Sequence, residues 1–432
     1  MISPAVGASL LVAIILVALP LCSFAALDND TVPTAYGVRF YTADAAVPLP
    51  LPPRQAAPEA DLWLQRIRDK TYASGPYGPG IAEVVEDAGR YFFSRGDFGT
   101  AIEQWRQAVH LLRVNDGLYS PRQLPLLERL GETYRALGDY ESAGEIESYL
   151  LFLSRKHHSE GDPQRLAASL RWLDWQRREW LRDPDITQPR ILLQQWREVR
   201  DIVRAREADD SPLPPLSLAE QEALVQAQLR VLLLISATDF GLDRQADLLM
   251  GPRFGERPDV LTMEQTQIRN LQESAYSRGR SRLEDLLARQ REAGEVAAEA
   301  RTLLALGDWH QWYDSPQRAS EAYTQTWQLL SRSGDTATRD QWFAAPVELP
   351  ANGAFWAGPG SYREYSSQTV VAARFTVTER GRVSELETEA LAEENAGVAS
   401  RLYRRIRDMR FRPRLSDGEP VAVAVTRRYR AD

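Results

Sequence analysis

The sequence predicts an α-helical repeat solenoid followed by a small α+β module, and three observations predict it. A frame of two apolar residues, a glycine and an aromatic occurs at Val85, Ala88, Gly89 and Phe92 and again at Leu127, Leu130, Gly131 and Tyr134, with the two glycines 42 residues apart. Between residues 61 and 342 apolar side chains recur every three to four positions, as in helices that bury one stripe. After that the period becomes two: Val371, Ala373, Phe375 and Val377 alternate with smaller or polar residues, as do Val421, Val423 and Val425, the pattern of half-buried strands.

A chain of 432 residues, 44% hydrophobic and 26% charged, is long enough for two or three domains and has neither the composition of a disordered chain nor that of a multi-span membrane protein. Basic charge is almost all arginine, Lys70 and Lys156 being the only lysines, and the net charge of -8 argues against a nucleic-acid partner. Residues 1–25 read as a signal peptide. Residues 5–27 carry no charge, and their most apolar part, 10–19, has the length of a signal-peptide core rather than of a membrane span; Ser23-Phe24-Ala25 supplies the small residues for cleavage near Ala25. No Lys or Arg precedes that segment, so a retained membrane anchor stays open as the alternative. Cleavage would remove Cys22, the single cysteine, leaving no disulfide framework, no cysteine metal site and no cysteine nucleophile. A periplasmic location is expected, or, with the anchor kept, the inner membrane with the rest of the chain facing the periplasm. Residues 26–60 read as a Pro-rich tether, because Pro48, Pro50, Pro52 and Pro53 favour polyproline II over a packed element.

Residues 61–345 resemble tetratricopeptide (TPR) repeats. The first copy continues through Gly96-Asp97, Ala101, Trp105 and Ala108; the second has Gly138-Asp139 at its turn and Ala143 beyond; a third shows Leu303, Leu306, Gly307, Ala319 and Tyr323. Small residues stand where the two helices of a hairpin cross closely, and aromatics fill the gap to the next hairpin. The 42-residue spacing exceeds the usual 34 and resembles a long-helix variety, with Pro121 and Pro163 opening helices at the first position. Between residues 172 and 281 the frame fades and breaks fall near Pro184, at Pro212, Pro214 and Pro215, and at residues 251–258. Degenerate helical hairpins continuing the same stack are expected there.

Residues 346–432 form the α+β module, of order ββαβ. A strand at 369–377 turns at Gly381 into a second strand at 382–390, whose inward residues Val383, Leu386 and Thr388 require one bulge. Val398, Leu402, Ile406 and Met409 mark a helix at 396–409, Arg410-Phe411-Arg412-Pro413 ends it, and Asp417-Gly418 turns into a closing strand at 420–429. This string of motifs, over about 347–432, resembles the C-terminal domain of the TonB energy-transducer family. The resemblance implies capture of a short extended segment as an added strand along the last strand, which here carries Pro420, Val421, Val423, Val425, Arg427, Arg428, Tyr429 and Arg430. It also implies outer-membrane transporters among the partners and leaves a homodimer through this domain open. The family's motor-coupling helix carries a histidine, whereas the apolar segment here has Ser3 and Ser9 but none, so force transduction is not expected. The cluster Arg401, Arg404, Arg405, Arg407, Arg410, Arg412 and Arg414 reads as a solvated helix face or, more sharply, as a surface for an acidic partner.

No constellation announces catalysis. Of the four histidines, His110 and His310 fall inside repeat helices, and His157 and His158, being adjacent, point in different directions. No nucleophile elbow, phosphate-binding loop or dinucleotide fingerprint occurs, and residues 353–360 read as a linker. Glu385, Glu387 and Glu389 alternate on one strand as a solvated face, with binding of a cation or of an arginine-rich partner the alternative. The expectation is a non-catalytic periplasmic adaptor without cofactor or metal, its repeats holding one envelope protein or peptide and its closing strand another. A membrane-anchored component of outer-membrane transport is the alternative.

Overall fold

The computed structural model describes residues 40–42, 59–182, 189–207, 213–238, 263–349, 369–390 and 396–431. The apolar segment 5–27 with its cleavage site, the Pro-rich run at 47–53, the breaks at 183–184 and 251–258 and the linker at 353–360 lie outside them. Helices α1 (Ala60–Ser74), α2 (Ile81–Ser94), α3 (Phe98–Asp116), α4 (Leu124–Leu137), α5 (Tyr140–His157), α6 (Pro163–Arg182), α7 (Pro189–Glu207), α8 (Leu218–Ala237), α9 (Met263–Ala293), α10 (Val296–Trp312), α11 (Pro316–Ser333) and α12 (Thr336–Phe343) each pack on the next in sequence, as in a TPR-like repeat stack.

Local chemistry sets the hairpins. Gly96, Gly138 and Gly334 adopt φ of 72°, 77° and 79°, ending one helix in the left-handed conformation that costs glycine nothing. The following Asp97, Asp139 and Asp335 cap the next helix, accepting from the amides of Thr100, Ser142 and Thr338 at 3.4, 3.1 and 3.1 Å. Helix pairs then cross at glycines seated against aromatic rings. A Cβ on Gly89 would lie 2.4 Å from Trp105, one on Gly307 2.4 Å from Tyr323, and one on Gly279 2.1 Å from Trp309. Pro163 opens α6 as expected, whereas Pro121 opens a 3-10 turn, Pro121–Gln123, ahead of α4.

In the second repeat Glu147 stands where the frame calls for an aromatic. It is buried, and Arg171 of α6 reaches it with Nε and Nη2 at 3.0 and 3.2 Å. A buried carboxylate is tolerable only when paired in this way. Glu222 of α8, also buried, takes two bonds of 2.8 Å from Arg301 of α10. The region where the frame fades is continuous with the stack, since Leu192 and Leu193 of α7, Leu229 and Val231 to Ile235 of α8, Leu283 and Leu287 of α9 and Trp309 of α10 share one core.

The C-terminal module contains β2 (Val347–Leu349), β3 (Thr369–Val377), β4 (Val383–Ala390), α13 (Ala396–Arg407), β5 (Arg410–Arg412), β6 (Arg414–Ser416), β7 (Glu419–Val421) and β8 (Val423–Ala431). The main sheet is antiparallel, and its fourth strand is β1 (Phe40–Thr42), giving the order β1-β8-β3-β4; β2 pairs with β5, and β6 with β7. Leu402 and Ile406 of α13 pack on Val371, Ala373, Phe375 and Val377 of β3 and on Tyr429 of β8. The expected bulge is present: the β3–β4 register shifts by one between Arg374 and Thr376, and Glu385 takes a φ of 52°.

Two expectations are corrected. The closing strand at 420–429 is two elements: Pro420 and Val421 belong to the β6–β7 hairpin, with Pro420 opposite Leu415, and the strand proper is 423–431. Asp417-Gly418 makes a tight hairpin of its own before the chain enters the main sheet. The segment 26–60, read as a tether throughout, supplies the strand β1. Three residues are too short for a period-two signal to show.

Candidate partner-binding surfaces

The sheet's last strand has one face toward the core and one toward solvent. Ala424, Thr426 and Arg428 are exposed, Val423, Val425 and Arg427 are half-buried, and Tyr429 is fully buried. On one edge β8 pairs with β3 along its whole length. On the other, β1 covers only its end, Phe40 facing Ala431, Tyr41 facing Arg430 and Thr42 facing Tyr429. Among the described residues no strand pairs with 423–428 on that side, and an edge of this kind can template another strand.

The expected capture residues therefore divide. The backbone of Val423, Val425, Arg427 and Arg428 borders the open edge; Arg430 and Tyr429 meet β1; Pro420 and Val421 lie in the separate hairpin. Tyr429 serves the core, and burial pushes its phenol well above the usual range. Arg427 turns to the protein itself: Nη1 donates to Glu348 of β2 at 2.8 Å, and the guanidinium lies 5.6 Å over the Phe411 ring. Burial raises Glu348 above the ordinary carboxylate range, against the pull of Arg427 and Arg405.

The arginine cluster behaves the same way. Arg412 is buried and ties the module to the helical stack, its Nε donating to Asp308 Oδ1 at 2.9 Å and its Nη2 to Oδ2 at 2.6 Å. Nη1 reaches the carbonyl of Trp342 at 3.3 Å, and Tyr323 donates to the same Asp308 at 2.9 Å. Burial works against the charge of Arg412, but Asp308 outweighs it and holds the guanidinium above its usual range; burial and the same carboxylate keep Tyr323 neutral. Around this pair Gln311 donates to the carbonyl of Arg380 at 2.7 Å, Thr324 to that of Gly418 at 2.8 Å, and Arg410 lies 5.5 Å over the Trp312 ring. The acidic partner of these arginines is thus in part the chain's own α10. Sequence reasoning missed Asp308, because it stands 104 residues from Arg412 and belongs to no motif.

The helical stack offers a second surface. Leu118, Tyr119 and Phe152 are exposed, at 55%, 37% and 47% of their full area, and they adjoin one another at the end of α5. Tyr119 and Phe152 meet edge to face at 5.7 Å, Tyr149 stacks on Phe152 at 6.0 Å, Lys156 lies 4.2 Å over Tyr119 and Arg113 5.0 Å over Tyr149. Aromatic rings with cations on their faces can take up both apolar and acidic groups.

The histidines serve structure. His157 bonds the carbonyl of Tyr119, His158 bonds Asp162 at 2.8 Å, and they diverge as expected. His310 is buried; Arg318 donates to the Tyr276 hydroxyl at 3.0 Å. The same hydroxyl is hydrogen-bonded to His310 Nδ1, also at 3.0 Å. Burial, with Arg318 and Arg280 nearby, lowers His310 to about 4. Glu385, Glu387 and Glu389 are exposed, Glu385 bonding Thr376 at 2.8 Å. Among the described residues no group of acidic, histidine or cysteine side chains is placed to hold a metal ion, and no helix is long and apolar enough to cross a membrane.

No protein-family model matches the chain, and no curated protein matches it. Among solved structures it is similar to TPR-like repeats of the kinesin light chain type from Podosopora anserina, at 15% identity over 59% of this chain and 96% of that one, with a TM-score of 0.35. It is also similar to BtubC (BKLC) from P. vanneervenii, at 13% identity over 64% of this chain and 91% of that one, with a TM-score of 0.29. Likeness at this level carries no argument about what the chain binds. The helical hairpins show on their own geometry that the chain carries TPR-like repeats.

Proposed function

We propose that the protein is a non-catalytic adaptor of the cell envelope, working in the periplasm, which holds one protein on its helical repeats and captures an extended segment of another along β8. The observation that carries this reading is the open edge of β8 at 423–428 on a module fixed to the repeats by the buried Arg412–Asp308 pair. Added strands gain affinity from backbone hydrogen bonds and specificity from alternate side chains. Such a grip is short and reversible, which suits an adaptor. The resemblance to the TonB C-terminal domain supports the same edge, with an outer-membrane transporter as one kind of partner. The patch of Tyr119, Tyr149, Phe152 and Lys156 supports a separate site for a protein or peptide on the repeats.

In-cell photo-crosslinking tests this reading. A crosslinking residue at Ala424, beside the open edge, and another at Phe152 should each give a protein adduct, and the two adducts should differ. Absence of adducts at Ala424, with those at Phe152 intact, would remove strand capture and leave the repeats as the binding element. Amino-terminal sequencing of the purified protein should show a chain beginning at or near Ala26; a retained Met1 would replace the periplasmic adaptor with an anchored one.

A further inference from the structure

The strand β1 lies on the edge that a captured segment would use, so a role for it there rests on the proposed strand capture by β8. β1 runs antiparallel to β8 and covers Tyr429, Arg430 and Ala431, while 423–428 on the same edge pairs with no described strand. Among the described residues the edge is therefore divided into an occupied end and a stretch without a partner strand, and the occupant belongs to the chain itself. Phe40–Thr42 is three residues long, so it can make only a few of the hydrogen bonds that a full strand would make. It belongs to the same chain as β8, so its pairing with the edge is intramolecular.

We infer that β1 is a built-in competitor for the capture edge: Phe40–Thr42 occupies the end of β8 until an incoming extended segment, seated first on 423–428, displaces it. A short tethered strand suits this role. A long one would close the edge for good, and none at all would leave it bare to edge-to-edge association. Because the occupant must leave before a partner can use the whole edge, its presence lowers the partner's apparent affinity by the fraction of time it is bound.

The test uses the full mature chain and a labelled synthetic peptide of residues 38–46, followed by fluorescence anisotropy. Continuing the β1 register would set this peptide against β8 from Val425 to Ala431. The variant carries Tyr41→Pro and Thr42→Pro together. Adjacent amides of a strand point to opposite edges, so one of the two prolines removes a donor toward β8 whichever way β1 faces. The peptide should bind the variant about tenfold or more tighter than the unaltered chain. Equal affinity for both overturns the competitor and leaves strand capture standing. No binding to either overturns strand capture, and the competitor with it. Hydrogen exchange of 369–377, which pairs with the other edge of β8, reports whether the sheet survives the prolines. If it does not, deletion of 38–44 replaces them and the same ratio decides. Sedimentation should show the unaltered chain as a monomer; a dimer that the prolines dissociate would place β1 on a second copy and overturn the competitor.

Discussion

Asp308 accepts from Arg412 twice and from Tyr323 once, so one carboxylate in a buried setting joins α10, α11 and β5. Arg412→Ala would leave that charge buried with only a phenol for company, at a cost of about 3–5 kcal/mol, read as a lower midpoint in urea unfolding. Arg412→Lys should recover only part of the loss, because an ammonium cannot donate in parallel to both oxygens. His310 sets a pH dependence. Its folded value of about 4 lies below the ordinary 6.5, so as pH falls through 6.5 the unfolded chain takes up a proton that the folded chain refuses. The contribution of this group to stability is whole above pH 6.5, declines toward pH 4 at no more than about 1.4 kcal/mol per pH unit, and levels off below. Urea midpoints across that window should fall less steeply in His310→Gln. Tyr323, Arg412 and His310 were each visible in the sequence, but Asp308 and the contacts that join them were not. The repeat frame marks glycines and aromatics, and a charged residue inside it, such as Glu147 or Asp308, reads as surface until its partner on another element is known.

Turns and strands were far more legible, because their causes are local. The strand at 369–377 and the turn glycines Gly96 and Gly138 follow from period and residue type alone. So did the bulge, since Val383 and Leu386 can face one core only if the register shifts between them. Gly381 sits at the β3–β4 turn with a φ of 67°, where a Cβ would stand 2.0 Å from the Phe411 carbonyl oxygen and 2.3 Å from Gln311 Nε2. Gly381→Ala should therefore cost about 2 kcal/mol or more, through both the backbone conformation and the displaced contact. Calorimetry should show it as a lowered Tm, whereas Gly99→Ala, with open space around it, should be close to neutral. Elements set by distant partners were hidden: β1 finds its mate nearly the whole chain away, and three residues hold no pattern strong enough to announce a strand.

At the scale of the molecule, the expected boundary between repeats and module at residues 345 and 346 falls beside shared structure. β2 begins at Val347 and pairs with β5, whose Arg412 enters α10, and Glu348 of β2 holds Arg427 of β8. A chain ending at residue 345 would leave Asp308 without its guanidinium and Gln311 without the Arg380 carbonyl. It should unfold at lower urea than the full chain, with the loss concentrated in α10–α12 by hydrogen exchange. In the full chain those helices and β3–β8 should exchange as one cooperative unit. The order of helical stack followed by sheet was readable from the change in hydrophobic period, but the bond between them was not, because it rests on single residues far apart in sequence. The path from Arg427 to Glu348, along β2 to β5, and through Arg412 to Asp308 also has a mechanical meaning. Tension drawn along a strand held on β8 would act on its backbone ladder in shear, with all the bonds sharing the load, and would reach α10 through two guanidinium clamps. The grip on the captured strand should slip before the anchorage behind it gives way.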